Sequence, residues 1–103
     1  MSSHDEVVIT GVGVVSPLGT GADQFWSAIC SGSSGVRELE MFAGSALPVR
    51  FGAAVEDFDP KLYVKPRKSL KVMSREIQLA FAAASMATSD AALSTDVVSP
   101  ERL

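Results

Sequence analysis

Residues 6–16 read Glu-Val-Val-Ile-Thr-Gly-Val-Gly-Val-Val-Ser, and the fold turns on this stretch. Val, Ile and Thr dominate, and the apolar run is nearly continuous instead of alternating with polar residues. That pattern predicts a strand buried on both faces, as in a sheet sandwiched between layers of helix. Pro17-Leu18-Gly19 then ends it. A strand of this kind needs paired neighbours on its edges and cover on each side.

The sequence that follows supplies few such neighbours. Thr20 and Asp23 have the spacing of a capping box. Phe25/Ile29 and Trp26/Cys30 lie four apart, so an amphipathic helix is predicted over about Gly21 to Ser31. Gly32 to Gly35 is turn-forming Gly/Ser sequence. Val36 to Leu47 reads as irregular with short extended pieces, Val49 to Val55 as a strand weakened by Gly52, and Asp57 to Pro66 as loop or a short turn of helix. Ser74 to Leu93 is the clearest helix. Ile77, Phe81, Ala84, Thr88 and Ala91 form one stripe, and the many alanines favour helix and allow close approach. One firm strand and two firm helices do not complete a two-sided sheet. The sequence therefore reads as part of a larger α/β layer rather than a self-contained domain.

Composition narrows the function classes. The chain has 103 residues, 47% hydrophobic and 20% charged, a globular balance and not a disordered one. No apolar run approaches the roughly 20 residues of a membrane span. The polar, acidic start from Met1 to Glu6 resembles neither a secretory signal nor an Arg-rich transit peptide, so a cytoplasmic location is expected. Cys30 and His4 are the only cysteine and histidine, which excludes an internal disulfide and makes a poor metal set.

The net charge of -3 conceals a block of opposite sign. Lys61, Lys65, Arg67, Lys68, Lys71 and Arg75 are followed or preceded by no acidic residue within 61–75; the rest of the chain holds three basic and twelve acidic residues. Such a block is either a solvated face or a docking site for an acidic protein, an anionic lipid or nucleic acid. If 67–72 is helical, Lys68, Lys71 and Arg75 share a face. Tyr63 is the one aromatic among them, which argues against a single-stranded nucleic-acid platform.

Three other motifs have plainer readings. Gly11-Val12-Gly13 after a strand suggests a dinucleotide fingerprint, but Ser16-Pro17 stands where a third glycine and a helix start are needed. Close packing of backbone is the expected role of these glycines. Cys30 falls at the end of its helix, where the macrodipole disfavours a thiolate, so it is expected to be a buried or half-buried structural cysteine. Ser31, Ser33 and Ser34 read as turn residues.

Taken together, Val7, Val8, Ile9, Thr10, Gly11, Gly13, Ser16, Pro17, Gly19, Trp26, Gly32, Ser34, Gly35 and Val36 resemble the opening of the elongating β-ketoacyl-acyl-carrier-protein synthases. Phe42, Phe51, Asp57-Phe58, the basic run before Met73 and the Ala-rich helix after it also fit. The resemblance implies a thiolase-like α/β fold, with residues 1–103 forming the N-terminal segment of the first of two similar halves and no complete second domain. It implies a homodimer that condenses an acyl thioester with malonyl-acyl-carrier-protein, without a cofactor, using a cysteine, two histidines and a lysine. Neither Cys30 nor His4 matches those motifs, so no catalytic residue is assigned to this chain, and the chain alone is expected to be inactive. In the family a basic helix at this point meets the acidic acyl carrier protein. Lys68 and Lys71 match it, with Arg67 adjacent, while Val72 stands where a further basic residue is often found. No nucleic acid partner and no membrane insertion are expected. The alternatives are a non-catalytic interaction module and a chain-length-factor-like partner of another synthase chain.

Overall fold

The computed structural model describes residues 5–102, so His4 lies outside the described residues. Among the described residues four short strands and two α-helices follow one another: β1 (Val15–Ser16), β2 (Gly19–Thr20), α1 (Ala22–Cys30), β3 (Val36–Glu38), β4 (Phe51–Ala53) and α2 (Arg75–Asp90). Turns of 3-10 helix occupy Glu40–Phe42, Pro60–Leu62, Arg67–Val72 and Pro100–Arg102. The strands pair in two antiparallel ribbons. In β1–β2, Val15 faces Thr20 and Ser16 faces Gly19; in β3–β4, Val36 faces Ala53, Arg37 faces Gly52 and Glu38 faces Phe51.

The predicted strand over 6–16 is corrected. Only its last two residues join a ladder, and residues 5–14 have no regular secondary structure. Val7 is 97% and Ile9 86% exposed, so this segment is not buried on both faces. A strand is defined by its partners, and no other part of the described chain lies alongside residues 5–10 to accept its backbone bonds. From Gly11 onward the segment lies against α2. A Cβ at Gly11 would sit 2.5 Å from the Ala87 carbonyl oxygen and one at Gly13 would sit 2.0 Å from that of Ala83. These glycines therefore serve backbone packing, as expected from the sequence.

The helix α1 forms where predicted, but its start differs. Gly21, at φ 102°, is the N-cap and no side chain caps the helix, so the Thr20–Asp23 box is absent. Thr20 is one residue too early, held in β2, and its backbone N–H donates instead to Gln24 Oε1 at 3.1 Å. The far end closes as a Schellman motif. Ser33 N–H donates to Ala28 O (2.9 Å) and Gly32 N–H to Ile29 O (3.1 Å), with Gly32 in the left-handed region. No residue of α1 is buried; Trp26 is 66% exposed and Cys30 is exposed too. The expectation of a buried or half-buried structural cysteine is thereby overturned, because among the described residues that end of the helix is left open, with Ile29 exposed beside Cys30.

In α2, Ser74 caps the first turn, its Oγ accepting from Ile77 N–H at 3.3 Å. The stripe predicted to face inward is turned the other way: Ile77, Phe81, Ala84 and Thr88 are exposed, and Ala91 is only half-buried. The inner face consists of Leu79, Ala82, Ala83, Met86 and Ala87, with Ala82 fully buried.

Among the described residues, Leu39, Val64 and Ala82 are the buried hydrophobics. The accessible surface is 8172 Å², whereas a compact monomer of this mass exposes about 5,500 Å². The radius of gyration is 17.9 Å, against about 13 Å for a compact chain of this length. The architecture is thus part of an α/β layer without the thickness of a complete core.

Candidate functional site

The basic block is built on two short turns leading into α2. Asp59 starts the first: its Oδ1 accepts from Lys61 N–H at 3.0 Å, and Pro60 stands at the first helical position. The second is the six-residue 3-10 turn Arg67–Val72, entered from Pro66. Ser69 N–H donates to Pro66 O at 3.1 Å, and Met73 N–H to Leu70 O at 3.2 Å.

A 3-10 helix has three residues per turn, so side chains three apart eclipse. Lys68 and Lys71 consequently stand one above the other, with Arg67 beside them, and all three are exposed. Ser69 and Leu70 are half-buried and anchor the turn from beneath. The sequence-predicted residues Arg67, Lys68 and Lys71 are thus brought together on one short element.

Arg75 is not part of that face. Its guanidinium lies 5.1 Å from the centroid of the Phe58 ring, and Nη2 donates to the Val55 carbonyl at 3.2 Å. Phe58 in turn stacks on Tyr63, with ring centroids 5.7 Å apart and planes 9° from parallel. Helical spacing alone placed Arg75 with the lysines; the change from 3-10 to α-helix at Met73–Ser74 and the aromatic neighbours turn it away. The adjacent Phe58 and Tyr63, with Arg75 downstream, were the available signal for this stack.

Electrostatically the turn is uncompensated. Among the described residues the ion pair is Arg37–Glu56, joining β3 to the segment after β4. A cleft of about 480 Å³ opens beside that pair, lined in part by Gln24, Arg37, Glu56, Asp57, Asp59 and Tyr63. It carries both signs of charge but no nucleophile–base pair. Among the described residues no cluster of three His, Cys, Asp or Glu is arranged to hold a metal. Ser31 and Ser33 bond to each other at 2.9 Å, and Ser31 Oγ donates to Ala28 O at 3.0 Å, which makes them turn residues. The chemistry within reach of the basic turn is charge-assisted binding of an anionic surface. Among the described residues no helix is long and apolar enough to cross a membrane.

Comparison with known proteins identifies the scaffold. Residues 4–103 match the model of the β-ketoacyl synthase N-terminal domain. The chain is 39% identical over 97 residues to 3-oxoacyl-[acyl-carrier-protein] synthase 2 of Coxiella burnetii, covering 94% of this chain and 23% of that protein. It is also 39% identical over 93 residues to the tetracenomycin polyketide synthase ketoacyl synthase beta subunit of Streptomyces glaucescens, covering 90% and 22%. Among solved structures, the ishigamide ketosynthase/chain length factor superposes with a TM-score of 0.74 at 35% identity, over 86% of this chain and 22% of that one. The chain therefore spans less than a quarter of the length of these relatives. Its partial α/β layer is a portion of the thiolase-like ketosynthase fold, and the chain belongs to the β-ketoacyl synthase family, matching its N-terminal domain.

Proposed function

We propose that the protein carrying this chain is a 3-oxoacyl-[acyl-carrier-protein] synthase of fatty acid or polyketide synthesis, and that residues 1–103 form the N-terminal segment of its first thiolase-like half. In this reading an acyl thioester condenses with malonyl-acyl-carrier-protein, releasing CO2 and the thiol of one carrier, in a cytoplasmic homodimer. This segment supplies scaffold and a docking face but none of the reacting groups. Arg67, Lys68 and Lys71 receive the acidic carrier. The observation that supports this role is the eclipsed, exposed pair Lys68 and Lys71 on a 3-10 turn, with no acidic partner for either among the described residues.

The test is charge reversal. Lys68→Glu with Lys71→Glu is expected to weaken acyl-carrier-protein binding at low salt, and the effect should shrink as salt screens it. Exposed pairs contribute about 0–1 kcal/mol each, so the double variant is the informative one. Unchanged affinity at low salt would leave the block a solvated face. The 103-residue chain by itself is expected to form no β-ketoacyl product from acyl- and malonyl-carrier thioesters.

A second reading is supported by the similarity to a ketoacyl synthase beta subunit and to a ketosynthase/chain length factor. Here the protein is a non-catalytic interaction module or chain-length-factor-like partner, which binds a carrier or another synthase chain without being acylated. Incubation with a radiolabelled acyl thioester separates the two: a covalent acyl-enzyme supports the synthase, and an unlabelled protein that still activates a partner synthase supports the second reading.

A further inference from the structure

Five of the six basic residues of the block lie in the stretch between Val55 and Arg75, and the sixth closes that stretch. Arg75 is the first residue of α2, and its guanidinium reaches back 20 positions to the Val55 carbonyl. The same group sits over Phe58, which stacks on Tyr63 next to the buried Val64. Residues 55–75 thus form a loop whose two ends are held by one side chain. From the geometry we infer that Arg75 is the clasp of this loop, a positioning residue that fixes how Arg67, Lys68 and Lys71 are presented, and is not itself a docking cation.

The physical basis is the difference between charge and shape. Closing a loop of this length has an entropic cost that something must offset. The turn Arg67–Val72 is a six-residue 3-10 helix with no side-chain cap, and an isolated 3-10 turn is a weak element. Arginine can offset the closure because its planar guanidinium can stack on a ring and donate in its own plane at once. Lysine has the same charge and cannot do both. The inference builds on the docking reading above, and its test is chosen so that the two can fail separately.

In the full protein, Arg75→Lys and Lys68→Ala/Lys71→Ala are compared by amide hydrogen exchange and by binding of apo acyl carrier protein across a salt series. Arg75→Lys is expected to speed exchange at Ser69 and Met73, whose N–H groups hold the turn, and to weaken carrier binding about three- to tenfold. Its salt slope should equal that of the unaltered protein, because the charge is kept. The double alanine variant should leave exchange unchanged and flatten the salt slope. Unchanged exchange in Arg75→Lys overturns the clasp whatever the carrier does. Faster exchange with unchanged carrier affinity overturns its positioning role. Faster exchange in a protein that binds no carrier leaves the clasp standing and removes the docking reading.

Discussion

The backbone N–H of Val12 donates to the Asp90 carboxylate at 3.0 Å, joining two residues 78 positions apart. Asp90 is the last residue of α2, where a negative charge is disfavoured by the helix dipole, and that turn holds no basic residue. The bond to Val12 gives the carboxylate a donor at that position. It falls between Gly11 and Gly13, two places where the N-terminal segment lies against the α2 backbone. Glycine, helix and carboxylate together set the register of the segment on the helix: Gly11 lies over Ala87 and Ala91, Gly13 over Ala83 and Ala87.

Gly13→Ala is expected to destabilise the protein by at least the 1–3 kcal/mol typical of overpacking. The added Cβ would meet Ala83 O at 2.0 Å and Ala87 N at 2.7 Å, both backbone atoms of a helix that cannot yield locally. Gly44 is the control. It is open to solvent and adopts φ 73°, so its alanine variant loses stability only through backbone conformation. Asparagine tolerates the left-handed region. Asn is therefore predicted to restore the denaturation midpoint at position 44 and to fail at 13. Equal tolerance of Asn at both positions would refute the packing role.

These contacts also explain which parts of the fold were legible in the sequence. α1, α2, a strand within Val49 to Val55 and the turn at Pro60 follow local rules of periodicity and proline placement, and the sequence locates them; the pairing of that strand with Val36–Glu38 is not read from it. The inward face of α2 was misread because hydrophobic periodicity weights large residues. Here the neighbour is a glycine-bearing backbone, so the face that packs is the alanine face, and Ile77 and Phe81 are turned outward. The strand over 6–16 was misread in extent because pattern reports what a segment needs, and the ladder partners of residues 6–10 are not among the described residues. In the basic block, charge and spacing group Lys68 with Lys71, and the family resemblance adds Arg67; all three stand exposed on one 3-10 turn. The separation of Arg75 from them depended on the Phe58–Tyr63 stack, a contact between residues distant in sequence from the helix.

The start of α2 predicts a pH response. A bond from its own backbone N–H, and then one from the Ser74 hydroxyl, hold the Glu76 carboxyl below the ordinary glutamate value of 4.5. Its folded pKa is depressed, so its contribution to stability is fully present above the ordinary value and is lost as pH falls through the depressed one. Ser74→Ala removes the N-cap, at a cost of about 0.5–2 kcal/mol, and one of the two bonds to Glu76. The gap in denaturation midpoint between Ser74→Ala and the unaltered protein should therefore narrow as the pH is lowered below 4.5, leaving the part due to the Ser74–Ile77 cap bond. A gap that stays constant down to the acid limit would show that Glu76 takes no part in the cap.

Expressed alone, the 103-residue chain is expected to self-associate through residues 6–10. Val7, Val8 and Ile9 are 97%, 67% and 86% exposed, and their backbone donors and acceptors have no ladder partner among the described residues. Burying one Val or Ile side chain is worth about 1.5–3 kcal/mol. Three left exposed forgo a sum comparable with the roughly 5–15 kcal/mol that stabilises a small domain. An extended apolar segment with open hydrogen-bonding edges pairs with its own kind, and a charge placed on the edge blocks that pairing. Sedimentation equilibrium should show association of the unaltered chain and a shift toward monomer for Val7→Lys with Ile9→Lys. Those positions lie two apart, on the same face of an extended segment, so the two charges meet a partner strand together. The double variant should also leave α2 helical by circular dichroism, since neither residue is among those packed on the helix. A compact monomer that melts cooperatively, with or without the lysines, would show that residues 6–10 find their cover within this chain.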